Sequence, residues 1–434
     1  TEALITNLGK IRALRVISRT TAMHFKGTKK TLPEIARELN VDAVVEGSVL
    51  RSGNRVRVTA NLLHASTDRH LWANTYESDM QDVLVLQGEV ARAIADEVRI
   101  KLAPEEQVRL TPTRSVNPQA YEAYLVARYL WRQGTKAGFE KAPDLYQQAI
   151  AAYPGYAAAY AGLAEAYISL GDLDLVAPHE AFPKAKAAAA KALQLDPDLP
   201  EAHTAMAYVH IYYDWDWASA ERELERALEG NPSEATGHVL YSKLLAAMGR
   251  TDASLAQIRM ARAIDPASPV GVQSAGWVYY VARRYDQAIE LFRRNVEDEP
   301  DSAHSHDLLG LAYEQAGRMH EAIVEHQKAV ELSGRAPSEI ADLARCYALS
   351  GNNQRARKLE GEIVTPEIEQ VVSPCDMALM LLGRRDVDRG MIWLSKAYQA
   401  RCSDLIFIKV DPRFDPVRSD PRFQDLLRRM NFPP

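Results

Sequence analysis

The sequence predicts a mainly α-helical fold, a solenoid of stacked helix hairpins preceded by a small α/β domain. Tyr279, Tyr313 and Tyr347 stand 34 residues apart, and the same step relates Gly276, Gly310 and Ala344, and again Ala288, Ala322 and Ala356. A period shared by three separate columns marks an internal repeat of one supersecondary unit. Upstream of the repeats the apolar pattern changes to alternation, the period of strands rather than helices.

Residues 1–110 read as the α/β domain. Residues 1–11 predict a helix, 14–18 a strand, and 32–39 a helix entered at Pro33. Three alternating segments follow, 43–50, 56–64 and 71–77, with Arg51-Ser52-Gly53-Asn54 as the hairpin signal between the first two. Residues 83–102 predict a long amphipathic helix with Leu86, Val90, Ile94 and Val98 on one stripe.

Residues 117–400 read as about eight helix hairpins. In the clearest copy, 269–300, Ala275, Gly276 and Tyr279 share a face of the first helix, and Ala288 and Phe292 share a face of the second. Small residues at Gly276 and Ala288 let the two axes approach, and the aromatic rings fill the space around that contact. Pro300 ends the second helix, because proline lacks the N–H and disfavours helix in the residue before it. One hairpin cannot bury its own apolar face, so neighbours must stack. The pattern extends to copies at 303–334 and from 337 onward, and back through 235–266, 200–232, 157–197 and 117–154. A worn last copy carries Ala378, Leu381, Gly390, Leu394 and Ala397. In 401–434, Asp411-Pro412-Arg413-Phe414 and Asp420-Pro421-Arg422-Phe423 are helix-start signals. They predict short capping helices with Phe414 and Phe423 set against the last repeat.

These columns resemble the tetratricopeptide-repeat family, a resemblance covering roughly three quarters of the chain. Departures are His203 and His238, where the family often has a large apolar residue, and Asn295 and Glu360, where a small or apolar one is usual. Val45-Glu46-Gly47-Ser48-Val49, the run from Arg55 to Ala60, and Leu71-Trp72 with Tyr76 resemble the TolB N-terminal-type domain found ahead of such arrays in multidomain bacterial signalling proteins. In that family the motif matching Thr1-Glu2-Ala3-Leu4 follows an apolar strand and an Asp-Gly turn. The resemblance therefore implies that the domain lacks its first strand here, and that the chain is a piece of a longer protein. The output domain of such a protein would be a Ser/Thr kinase, a nucleotidyl cyclase or a winged-helix transcription regulator.

A formal charge of −6 and a pI near 6.0 argue against a general nucleic-acid binder. No run of about 18 apolar residues could span a membrane. The composition points to the cytoplasm, and an upstream export signal or anchor would move the chain to the periplasm. Cys346, Cys375 and Cys402 are odd in number and widely spaced, which suits free thiols rather than a disulfide framework or zinc motif.

No catalytic set emerges, and no cofactor is implied. There is no Gly-rich phosphate loop and no Gly-x-Ser-x-Gly elbow. His320 and His326 flank a string similar to a metalloprotease helix, but six residues of helix rotate one far from the other. His304 and His306, two apart, fail as a metal pair for the same reason. No metal site is therefore expected. Residues 33–41 look like the first half of a helix-turn-helix, yet the pattern that follows is a strand.

The function expected is non-enzymatic binding of a peptide or protein partner. In the tetratricopeptide family the ligand-facing position of each first helix includes the residue after the small one. Here that gives Arg128, Glu165, Tyr208, Lys243, Trp277, Leu311 and Arg345. The centre of such a groove would present Tyr208, Tyr212, Trp277 and Tyr280 between Lys243 and Arg345. Aromatics flanked by cations suit an extended peptide with acidic groups or a C-terminus. Oligomerisation is left open. The Asn-rich clamp of chaperone-binding relatives is absent.

Overall fold

A computed structural model describes residues 2–110, 116–364 and 372–433; Thr1, the first residue of the expected N-terminal helix, lies outside them. The N-terminal part runs α1 (Glu2–Gly9), α2 (Arg19–His24), α3 (Leu32–Leu39), β1 (Ala43–Ser52), β2 (Arg55–His64), β3 (Arg69–Asp79), α4 (Val83–Glu97) and α5 (Pro104–Arg109). Helix hairpins follow as α6 (Pro118–Arg132) with α7 (Lys136–Ala152), α8 (Ala157–Asp172) with α9 (Pro178–Leu195), and α10 (Pro200–Val209) with α11 (Trp217–Gly230). Next come α12 (Ala235–Ala247) with α13 (Thr251–Ile264), α14 (Pro269–Val281) with α15 (Tyr285–Asp298), and α16 (Ala303–Gln315) with α17 (Met319–Leu332). The last pairs are α18 (Pro337–Leu349) with α19 (Asn353–Ile363) and α20 (Pro374–Gly383) with α21 (Val387–Ala400). The tail holds 3-10 turns at Ser403–Phe407 and Pro412–Val417 and then α22 (Pro421–Arg429). The fold is mainly α, hairpin upon hairpin, with one small antiparallel sheet near the N-terminus.

The chain forms two compact units. The first is residues 1–207 with 222–238 and 260–268, and the second is 208–221, 239–259 and 269–434.

In the first unit the sheet order is β1-β2-β3, both pairings antiparallel. Gly53 takes φ +60° at the first central position of the two-residue turn between β1 and β2, the position that a type II′ hairpin reserves for glycine. One core gathers Leu8, Ile11, Leu62, Val90, Ile94 and Leu110. A second, of Val56, Leu86, Tyr121 and Tyr156, joins β2 and α4 to the first hairpin. The long helix expected over 83–102 stops at Glu97, and Arg99 turns left-handed at φ +58°. Residues 14–18 form no strand. They run extended along the inter-hairpin loops, with Val16 N–H donating to Ser233 Oγ (3.2 Å) and Ser18 N–H to the Ile264 carbonyl (2.8 Å). Ser18 Oγ and Thr21 Oγ1 then both donate to Asp265 Oδ1, at 2.6 and 2.7 Å. The apolar alternation that reads as a strand is here satisfied by a loop edge.

The repeat columns have distinct physical jobs. The first-helix glycines face rings, on the second helix of the same hairpin for Gly276 and Gly310 and on the second helix of the preceding hairpin for Gly162. A Cβ at Gly162 would lie 2.4 Å from Tyr146, one at Gly276 2.5 Å from Phe292, and one at Gly310 2.8 Å from His326. Ala288, Ala322 and Ala356 are fully buried opposite. One repeat earlier the Gly–Ala pair becomes Ser242 and Ser254, whose hydroxyls hydrogen-bond each other at 2.8 Å and so satisfy a buried polar pair. The tyrosines staple each repeat to the one before. Tyr167, Tyr241, Tyr313 and Tyr347 each bond through the hydroxyl to the residue 20 positions earlier, Gln147, Glu221, Arg293 and Gln327, at 2.8–3.1 Å.

Candidate partner-binding face

The first helices of the hairpins present the side chains expected to meet a ligand. In the second unit, Tyr208 and Tyr212 stack with centroids 4.3 Å apart, where a π-turn at His210–Asp214 widens the end of α10. Trp277 and Tyr280 stack on α14 at 4.9 Å. Tyr208, Lys243 and Trp277 are half-buried, whereas Tyr212, Tyr280, Leu311 and Arg345 are 5%, 0%, 3% and 2% exposed.

At Trp277 this face is covered by the chain's own tail. Phe407 packs edge-on against Trp277 (5.4 Å between centroids), and the Arg413 guanidinium sits over the same indole at 5.8 Å. Arg413 also pairs with Asp411 at 2.7 Å and approaches Asp342 of α18 at 4.0 Å. Arg283 holds Asp415 at 2.7 Å. Further along, Arg401 lies 3.8 Å over Trp215, which packs on Tyr398, and Trp217 donates to the Met430 carbonyl while stacking on Phe432. The Asp411 and Asp420 side chains accept from Arg413 N and Arg422 N, the N-caps that the two Asp-Pro motifs predict. Phe414 and Phe423 are buried and 5.9 Å apart. The tail is thus more than an end cap, since its first part packs on Trp277 of α14 and reaches Asp342 of α18.

Arg345 is not a free cation for a ligand carboxylate. It is buried, ion-paired to Glu314, and bonded to Asp342 at 2.9 Å, and these anions hold its charge firmly despite burial. Three polar atoms on the covered side, Trp215 Nε1, Trp277 Nε1 and Tyr280 Oη, are buried without a hydrogen-bond partner among the described residues. Each such atom costs about 1–3 kcal/mol.

The corresponding face of the first unit has different chemistry. Arg128 on α6 ion-pairs with Glu2 and donates to Tyr124 Oη at 2.5 Å. Arg128, Tyr124, Gly162, Glu165 and Glu201 line one small cavity. Burial pushes the Glu165 carboxyl up to about 7 against the pull of Arg128, and Glu234 up to about 8, with Glu201 adding repulsion in both cases. Thr204 Oγ1 donates to Glu234 at 3.0 Å.

The histidines that depart from the repeat pattern are structural. His203, His238 and His306 each bond through Nε2 to the carbonyl of the proline six residues earlier, Pro197, Pro232 and Pro300, at 2.8–3.1 Å. They brace the turn that enters each first helix. Asn295 donates to Ser305 at 2.7 Å, and Glu360 pairs with Arg384. His320 is exposed, and His326 is fully buried. The sequence offered one cue to the bracing role, the recurrence of His near the start of first helices after a proline.

Residues 214–269 and 274–339 match the family model described as tetratricopeptide repeat. Over 157 residues, 36% of this chain, the sequence is 34% identical to "Putative adenylate cyclase 3" of Rhizobium meliloti (strain 1021); the chain spans about a quarter of that protein's length, 27%. Among solved structures it is similar to PilW, a type IV pilus biogenesis factor, with 19% identity, a TM-score of 0.42 and coverage of 50% of this chain and 97% of that one. It is also similar to yeast Tom70, with 14% identity, a TM-score of 0.44 and coverage of 71% and 67%. No helix among the described residues is long and apolar enough to cross a membrane. The helix hairpins over residues 214–269 and 274–339 are tetratricopeptide repeats.

Proposed function

We propose that this chain is a non-enzymatic interaction module that takes a peptide or protein segment on the first-helix face of its second unit, and that its own tail gates that face. The domain plan behind this is a TolB N-terminal-like domain over 1–110, repeats over 117–400 and the tail over 401–434. The observation that carries the reading is the tail itself. Residues 403–417, a stretch of 3-10 turns, already occupy Trp277 and its surroundings through an aromatic, an arginine and two aspartates. A face that holds an irregular segment this way has the chemistry to hold another. The unpartnered Trp277 Nε1 and Tyr280 Oη make the tail an imperfect occupant, and a ligand offering acceptors there would gain what the tail leaves unmade. Tyr208, Tyr212, Lys243, Trp277, Tyr280, Leu311 and Arg345 are the residues proposed to line the face. Leu311 and Arg345 act by shaping it rather than by meeting solvent.

Partner capture tests this. Intact chain and Arg413→Ala chain are compared as baits, and the variant is expected to capture more. Adding Trp277→Ala and Tyr280→Ala should abolish the gain while helical circular dichroism persists; equal capture by all three would refute the assignment.

A second reading is that the chain is the regulatory portion of a larger bacterial signalling protein with a kinase, cyclase or transcription-regulator output domain. The likeness to a protein named as an adenylate cyclase favours the cyclase among these. The two readings are compatible, since a gated face is a means of regulating an attached domain. A cytoplasmic location suits both.

A further inference from the structure

The core of the second unit holds a group of polar side chains that the repeat pattern does not call for. Glu314 on α16, His326 on α17 and Cys346 on α18 are 3%, 0% and 0% exposed, and one ligand-type atom from each lies within 4.8 Å of the other two. One repeat earlier the same columns read Tyr280, Phe292 and Ala312. The ordinary occupants are therefore packing residues, and here all three are replaced by groups that bind borderline metal ions.

From this juxtaposition we propose a buried zinc site formed by Glu314, His326 and Cys346. Glu314 Oε2 and His326 Nε2 are both buried with no hydrogen-bond partner, the condition of ligand atoms awaiting an ion. The opposite atom of each is already committed. Arg345 holds the other Glu314 oxygen, and His326 Nδ1 is 2.9 Å from Asp307 Oδ1. A carboxylate behind the far ring nitrogen fixes the imidazole with its Nε2 lone pair free, the arrangement found behind metal-bound histidines. Gly310 makes the ring's position available, since a Cβ there would lie 2.8–2.9 Å from three of its atoms.

A thiolate and the Glu314 carboxylate neutralise a divalent cation, while Arg345 is offset by Asp342 at 2.9 Å. Zinc bonds of about 2.0–2.3 Å require the three ligand atoms to close by roughly 1 Å from their present spacing, a movement of side-chain ends. The thiol proton leaves on binding, so metal uptake releases it to solvent. A three-residue set leaves the fourth position for a water. The sequence hides the site because its ligands come from three helices, whereas the His320–His326 string lies on one.

The test uses the full chain, refolded with zinc and freed of excess by gel filtration. Metal analysis is expected to find roughly one zinc per chain, and cobalt in its place should give a thiolate-to-metal charge-transfer band. Cys346→Ser and His326→Phe, the latter restoring the residue type one repeat earlier, should lower zinc content at least tenfold with helical content kept. Zinc-free wild type, or zinc retained by both variants, overturns the proposal. If a variant fails to fold, the cobalt spectrum of the unmodified chain decides, and absence of the charge-transfer band overturns the site, leaving a buried water as its occupant.

Discussion

The two units use the same hairpin geometry and give opposite chemistry to the face made by their first helices. In the second, aromatics and arginines hold the chain's own tail through stacking, cation–π contacts and ion pairs. In the first, Glu165 and Glu201 line a cavity with Arg128, Glu234 feels the repulsion of both, and burial holds Glu165 and Glu234 toward their neutral form. The repeat fixes where side chains point, and the residues at those positions decide whether the face is filled or charged.

Among single substitutions, the largest effect should come from breaking the tail's anchor. Arg413→Ala leaves Asp411, itself 2% exposed, and Asp342 without their shared cation. The loss expected is about 3–5 kcal/mol from the second unit, read as a lowered thermal midpoint for that unit with the first unaffected. A single unchanged transition would mean that the tail contributes little.

Next in size is Gly276→Ala. The added methyl would meet Phe292 at 2.5 Å, so overpacking of about 1–3 kcal/mol outweighs the gain in helix propensity. Adding Phe292→Leu should recover part of the loss in urea unfolding, and no recovery would place the strain elsewhere.

The first unit should answer to pH through two buried carboxyls, Glu165 and Glu234. Glu165 and Glu234 keep their protons to about 7 and about 8 when folded, and release them near the ordinary 4.5 when unfolded. Folded chain therefore binds more protons between these values, so stability is greatest at the acid end and falls as pH rises from about 4.5 to about 8. Burial, opposed at Glu165 by Arg128 and Arg132 and reinforced by Glu201, sets the size of the fall, about 6 kcal/mol from pH 5 to pH 8 for the two groups together. Urea titrations at pH 5 and 8 measure it, and Glu165→Gln with Glu234→Gln should flatten it. A slope unchanged in the double variant would assign it to other groups.

The smallest effect is at the repeat staple. Tyr347→Phe removes the hydroxyl that accepts from Gln327 at 2.8 Å and from Arg355 at 3.3 Å and should cost about 1–2 kcal/mol in denaturant unfolding of the second unit. A loss several times larger would give the staple a role beyond these two hydrogen bonds.

Much of the fold was legible because each repeat column is a packing rule. Gly276 and Gly310 announce close helix contact, and the structure puts a ring against each. The tyrosine spacing announced the repeat without revealing that Tyr313 and Tyr347 bond to a residue 20 positions earlier, since a cross-repeat partner is invisible within one unit. Residues 14–18 misled because an extended segment on a loop edge and a strand share one alternation. The ligand-facing positions could be named from the family, but their burial could not. Whether a tail lies on Trp277 depends on Phe407 and Arg413, 130 or more residues away, and neither carries a local signal for that contact.

If the tail is a displaceable occupant of the second unit's first-helix face, the same segment supplied in trans must compete with it. A fluorescent peptide of residues 403–417 is titrated into intact chain and into chain carrying Phe407→Ala and Arg413→Ala. Binding to the variant should be at least tenfold tighter than to the intact chain, where the resident segment competes, and should be lost on adding Trp277→Ala. Equal affinity for both chains, or none for either, would contradict a displaceable tail.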